Sequence, residues 1–199
     1  MPAAGGHVFF GSSGDNAVHC LDAETGAQRW AHFTEGPVRL PPTWVNGLLL
    51  AGSDDGFTYC LDASSGAEYW RFSPAAGARR IFNNGDPVSL WPCRTGVMVE
   101  GGLAYFAGSL LPWKQSYLCA VDIRTGKVAG EGSFVREFNG LTMQGALLSS
   151  GTSVYAPQGR SAAQVYRLAD GQAQGAMKDA GGGDCRLTPD GLFISGPKN

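Results

Sequence analysis

The chain has 199 residues, 43% of them hydrophobic, and a formal net charge of −2 from 15 basic and 17 acidic side chains. That balance excludes electrostatic capture of nucleic acid or of an anionic membrane surface, and the apolar content excludes a disordered chain. No run of about 18 apolar residues exists to span a bilayer, and the first residues, MPAAGGHVFFGSSG, lack the basic and apolar stretches of a signal peptide.

Thirty glycines and eleven prolines are spread along the chain, which indicates many short strands with frequent reversals. No window carries a helical apolar period. In chain order, residues 7–11 (HVFFG) read as a strand, followed by a glycine-rich turn and a hairpin over about 17–33 that ends near Trp30. Strands follow at about 40–46 and 48–52 (LLLAG), then the Ser53–Gly56 turn and a hairpin over 57–72 ending near Trp70. An irregular segment covers 74–92. Strands are predicted at 94–99 and 103–107, then a second irregular segment at 110–116 and a hairpin at 116–134. The last elements are strands at 145–150 and 153–157, a hairpin at 163–177, and strands at 185–189 and 192–196.

These elements repeat. HVFFGSSGDNAVHCLDAETGAQRW (7–30) aligns with LLLAGSDDGFTYCLDASSGAEYW (48–70), so that Leu21-Asp22 and Leu61-Asp62, Gly26 and Gly66, and Trp30 and Trp70 are each 40 residues apart. A third copy, LAYFAGSLLPWKQSYLCAVDIRTG, begins at Leu103; a weaker fourth begins at Val154, and LFISG at Leu192 opens a fifth. One unit holds four antiparallel strands, named A (inner) to D (outer). Stacking such units radially leaves only short sheet edges, which is the propeller solution. The chain is therefore expected to be one all-β region, 1–199, with repeats at about 7–47, 48–102, 103–151 and 152–191 and a fifth starting at 192. Opening on a B strand and stopping just after one points to about four blades of an incomplete propeller.

The pattern strand–GS–x–DG–x–x–Y–x–LDA–x–(S/T)–G–x–x–x–W resembles the PQQ-type propeller repeat of quinoprotein dehydrogenases and of a periplasmic factor that assembles outer-membrane proteins. The match is good over 7–73, moderate over 103–134 and poor over 154–178, and WPCRTGVMVEGGLAYFAG is similar to PQQ-binding-like propellers of bacteria. The resemblance implies a propeller outside the cytoplasm. It identifies Trp30 and Trp70 with the family's docking tryptophans; the third repeat has no Trp there, so that joint is expected either to be looser or to be packed by Phe134.

The family's enzymes hold PQQ beside calcium, with a catalytic aspartate and a vicinal disulfide. This sequence has no Cys-Cys pair and no assignable calcium set, and Asp54-Asp55-Gly56 reads as a turn, so no catalytic or metal-binding residue is assigned. Cys20, Cys60 and Cys119 read as buried residues at one repeat position on separate blades. His7, His19 and His32 read as structural or surface residues.

Polar residues stand at the start of each A strand: Arg39, Arg94, Gln144 and Arg186. Radial arrangement would gather them at one mouth of the central channel, with Arg79, Arg80 and Arg160 adding charge. Guanidinium groups there suit bidentate capture of carboxylate or phosphate. Trp91 and Trp113 lie in the two irregular segments, as packing plugs or as exposed anchors for a sugar or peptide. The expectation is a non-catalytic binding or scaffold module for a protein, a carbohydrate or a small anionic ligand, with no resident cofactor. The alternative is a PQQ- and calcium-dependent quinoprotein oxidoreductase acting on alcohols or sugars.

Overall fold

The computed structural model describes residues 2–75, 79–83, 85–177 and 180–197, which contain strands and turns and no helix. Four four-stranded antiparallel sheets follow one another along the chain, and each is a simple meander. The first comprises β1 (Ala3–Ala4), β2 (His7–Ser12), β3 (Ala17–Asp22) and β4 (Gln28–Phe33). The second comprises β5 (Thr43–Val45), β6 (Leu48–Gly52), β7 (Thr58–Asp62) and β8 (Glu68–Phe72). A separate hairpin, β9 (Arg80–Asn83) and β10 (Asp86–Ser89), precedes the third sheet. That sheet is β11 (Met98–Glu100), β12 (Leu103–Gly108), β13 (Gln115–Asp122) and β14 (Phe134–Asn139), and the fourth is β15 (Leu148–Ser149), β16 (Ser153–Gln158), β17 (Ser161–Arg167) and β18 (Ala173–Ala176). A two-stranded sheet, β19 (Ala180–Leu187) with β20 (Phe193–Pro197), ends the described residues.

The inner strands β5, β11, β15 and β19 are neighbours in succession, so the blades fan around a common axis. Among the described residues no sheet closes on itself. The B and C strands lie where the sequence places them; β5, β11 and β15 are shorter than the inner strands expected, β19 is longer and begins earlier, and β1 precedes the strand on which the chain was expected to open. The inner strand pairs with the B strand that follows it, so each sheet starts ahead of the corresponding sequence repeat.

Each core lies between two successive blades. Leu49, Ala51 and Leu61 pack with Phe9, Val18 and Cys20 of the first blade, whereas Leu50 and Cys60 pack with Ala104, Phe106 and Val121 of the third. Strands covered on both faces need apolar side chains at consecutive positions, which is why LLLA and AYFA show no polar alternation. The docking aromatics seal these joints. The Trp30 indole N–H donates to the Ala63 carbonyl at 3.2 Å, and that of Trp70 to the Ile123 carbonyl at 2.9 Å. Phe134 takes the same place at the third joint, against Gly171.

The turn after each C strand explains the repeated aspartate. The Asp22 carboxylate accepts hydrogen bonds from the Glu24 and Thr25 N–H groups and the Thr25 hydroxyl, and Gly26, at φ 70°, closes the turn onto the Asp22 carbonyl. Asp62 and Asp122 do the same. In the fourth blade Arg167 occupies this position, so the Gly171 closure remains without the carboxylate. That substitution is one reason the fourth repeat is weak in sequence.

One expectation about the cysteines is corrected. Cys20 pairs with Trp30 and Cys60 with Trp70, but the residue opposite Phe134 is Ala120, one position beyond Cys119. A shift of one residue turns a side chain to the other sheet face. Cys119 therefore faces the second blade and shares a core with Cys60 and Cys93. All five cysteines are buried thiols.

Candidate functional site: the channel mouth

The D-to-A connections and the B-to-C turns leave the sheets at the same end, which gathers most of the candidate residues on one face. At its centre is a cavity of about 350 Å³ lined by Arg39, Asn83, Arg94, Gln144, Asp184 and neighbouring backbone. It meets, at Leu40, a second and mainly apolar cavity of about 390 Å³ walled by the inner strands around Val97 and Leu147.

Three of the four residues expected at the mouth line it: Arg39, Arg94 and Gln144. Arg186 does not; it is an exposed residue of β19 opposite Ile194. The register of β19 shifts between Gly181 and Cys185, and Gly183 packs so tightly on Gly145 that a Cβ at Gly145 would lie 2.0 Å from its carbonyl oxygen. The fourth mouth position therefore falls to Gly183 and Asp184, and the ring acquires an acidic member.

The two guanidinium groups are held by Asp54, which the sequence presents as a turn residue. Arg94 grips it with Nε at 2.8 Å from Oδ1 and Nη2 at 2.6 Å from Oδ2, while Arg39 reaches Oδ2 with Nε at 2.7 Å. Asp54 is 1% exposed, and such a buried carboxylate is tolerable because it is paired. The two arginines differ in what remains. Arg94 is largely enclosed; the Arg39 side chain is 40% exposed, and its terminal amino groups make no hydrogen bond to any described residue. Arg39 is thus fixed through Nε with its fork still available.

The remaining candidates separate. Arg79 and Arg80 lie not at the mouth but in a neighbouring cleft, where Arg80 pairs with Glu35. Trp91 is a plug: it is buried, and its indole N–H donates to the Gln115 carbonyl at 2.9 Å. Trp113, 73% exposed before β13, is an open aromatic on this face. Arg160 is exposed in the turn between β16 and β17. The segment 74–92, read as irregular, contains the β9–β10 hairpin, which brings Asn83 to the mouth; residues 76–78 and 84 lie outside the described residues.

Comparison with known proteins bears on the fold. The family model described as outer membrane protein assembly factor BamB matches residues 1–195. No curated protein matches the chain. Among solved structures, the quinohemoprotein alcohol dehydrogenase ADHIIG from Pseudomonas putida HK5 superposes with a TM-score of 0.69 at 16% identity, over 99% of this chain and 38% of that one. The computationally designed protein Ika8 superposes with a TM-score of 0.66 at 13% identity, over 99% of this chain and 54% of that one. A europium-containing methanol dehydrogenase gives 0.60 at 14% identity, over 86% and 40%. The chain therefore spans 54% or less of each of these three proteins, and at such identities the likeness is one of fold. With the repeat, the blade architecture and the family match in agreement, the chain belongs to the PQQ-type β-propeller family described as outer membrane protein assembly factor BamB.

Proposed function

We propose that the chain is a binding module whose channel mouth captures a carboxylate, carried by a small molecule, a carbohydrate or a protein partner. The observation that carries this reading is the Arg39 fork, anchored through Nε on buried Asp54 and unspent at its terminal nitrogens. A guanidinium already fixed loses less freedom on binding than a mobile one and suits a bidentate carboxylate. Gln144 and Asn83 add amide donors, and Asp184 on the rim favours a ligand with a hydroxyl or ammonium group beside its carboxylate.

The quinoprotein alternative draws on the dehydrogenases of like fold. The residues at the mouth do not fit a calcium-held quinone. Both Asp54 oxygens are engaged by guanidinium groups, and no group of three His, Cys, Asp or Glu side chains gathers as a metal site among the described residues. By analogy with the family we also place the module outside the cytoplasm.

Thermal unfolding with and without succinate tests the binding reading. A ligand specific to the folded state adds about 2.7 kcal/mol at about 100 times its Kd, so the midpoint rises with concentration. Arg39→Gln, which leaves the Arg94–Asp54 pair in place, abolishes that rise. A rise that survives in Arg39→Gln, or none in the wild type, overturns the proposal.

A further inference from the structure

The β9–β10 hairpin also walls a third cavity, of about 410 Å³, on the other side of the Asp54-Asp55 turn. Asp54 backs the mouth; Asp55, the next residue, lines this cleft together with Glu35, Phe57, Arg71, Arg79 and Arg80. The two carboxylates in its wall are already engaged. Asp55 accepts hydrogen bonds from the Glu35 and Phe57 N–H groups and the Tyr59 hydroxyl, and Glu35 is paired with Arg80.

Arg71 and Arg79 are not spent in this way. Arg79 makes no side-chain hydrogen bond to a described residue; Arg71 borders the Tyr59 hydroxyl, and an oxygen of the Glu68 carboxylate is 3.9 Å from the Arg71 Nε. Arg71 is nevertheless oriented, because its guanidinium lies 5.1 Å from the centroid of the Phe57 ring. The hydroxyl-bearing residues Ser73 and Ser89 complete the wall. A cleft with two unspent guanidiniums, one of them fixed by an aromatic face, is suited to a tetrahedral oxyanion, and its volume exceeds that of the bare ion.

We propose that this cleft is a second ligand site, separate from the mouth, for a sugar-sized phosphate or sulfate monoester, with Arg71 and Arg79 taking the anion and Phe57 positioning Arg71. The site depends on the hairpin that the long connection after β8 inserts, so it is a property of this blade rather than of the repeat.

Calorimetric titration with glucose 6-phosphate tests it, with glucose as the neutral control and inorganic sulfate as competitor. Glucose 6-phosphate binds, glucose binds at least about tenfold more weakly, and sulfate competes, with affinity falling as salt rises. The double variant Arg71→Gln, Arg79→Gln weakens binding by about tenfold or more at an unchanged melting temperature, while Arg39→Gln leaves it intact. Absence of binding up to about 10 mM, equal binding of glucose, or retention in the double variant overturns the proposal. Loss in Arg39→Gln instead would move the anion to the mouth and also refute it, so the two sites stand or fall separately.

Discussion

The ring of Trp30 occupies the space that a side chain on Gly66 would need: a Cβ there would lie 2.6 Å from Cε3. The pair is repeated by Trp70 over Gly126 and by Phe134 over Gly171. In each case the docking aromatic of one blade rests on the positive-φ glycine that closes the turn of the next. The closeness of the blades therefore depends on both partners.

Truncation of these aromatics should loosen the joints. Trp70→Ala, at a nearly buried site, is expected to destabilise by about 3–5 kcal/mol, and Trp30→Ala, half-buried, by less. Gly126→Ala combines a strained φ of 66° with a contact of 2.5 Å to the Trp70 ring, and should cost as much as a core mutation. Urea unfolding measures all three; unchanged midpoints would refute the joint.

The turn aspartates should set the acid limit of stability. Hydrogen bonds from Arg29 and Thr25 hold Asp22 well below the ordinary carboxylate range, and those from Ser64, Tyr69 and Ser65 do so for Asp62. Asp122 is lowered chiefly by the Thr125 hydroxyl. A folded pKa below the unfolded one supplies stability that is complete above the unfolded value and is lost as pH falls toward the folded one. Melting temperature should thus hold from neutral pH to about 5 and then drop, and the triple Asp→Asn variant should show a shallower drop. Equal slopes would remove these turns from the account.

Much of this architecture is legible in the sequence because B and C strands carry long apolar runs and the first three C-to-D turns carry their aspartate and glycine. The inner strands are not, since pairs such as Ala3–Ala4 and Leu148–Ser149 are too short to show a period. The β9–β10 hairpin did leave a signal, Asn84-Gly85 between Arg80-Ile81-Phe82 and Pro87-Val88, which is a strong turn dipeptide. Asp54 could not be recognised locally. Its partners Arg39 and Arg94 stand 15 and 40 residues away, and only the fold turns a turn aspartate into their anchor. Asp184 and Arg71 were hidden likewise, the first by the register shift in β19, the second as an ordinary outer-strand residue.

The thiols should be inert in the native state. Burial pushes Cys60 up to about 12 and Cys93 up to about 11, and raises Cys119 as well. An aromatic disulfide reagent at about pH 8.5 should find no fast-reacting thiol before unfolding and five after it. A fast native reaction, or three or fewer thiols in denaturant, would contradict the packing.

Dye-linked oxidation of ethanol and glucose, with PQQ and calcium supplied, should not exceed a blank without protein. Turnover above that blank that disappears in Asp54→Asn would mean that Asp54 serves a cofactor rather than two arginines.

The most direct test of carboxylate capture at the mouth follows the arginine Nε–H resonances by NMR during a succinate titration. The Arg39 resonance should shift and saturate. That of Arg29, which pairs with Asp22 at the C-to-D turn at the other end of the sheets, should stay in place. No shift at Arg39, or a uniform drift of all arginines with ionic strength, would contradict the account.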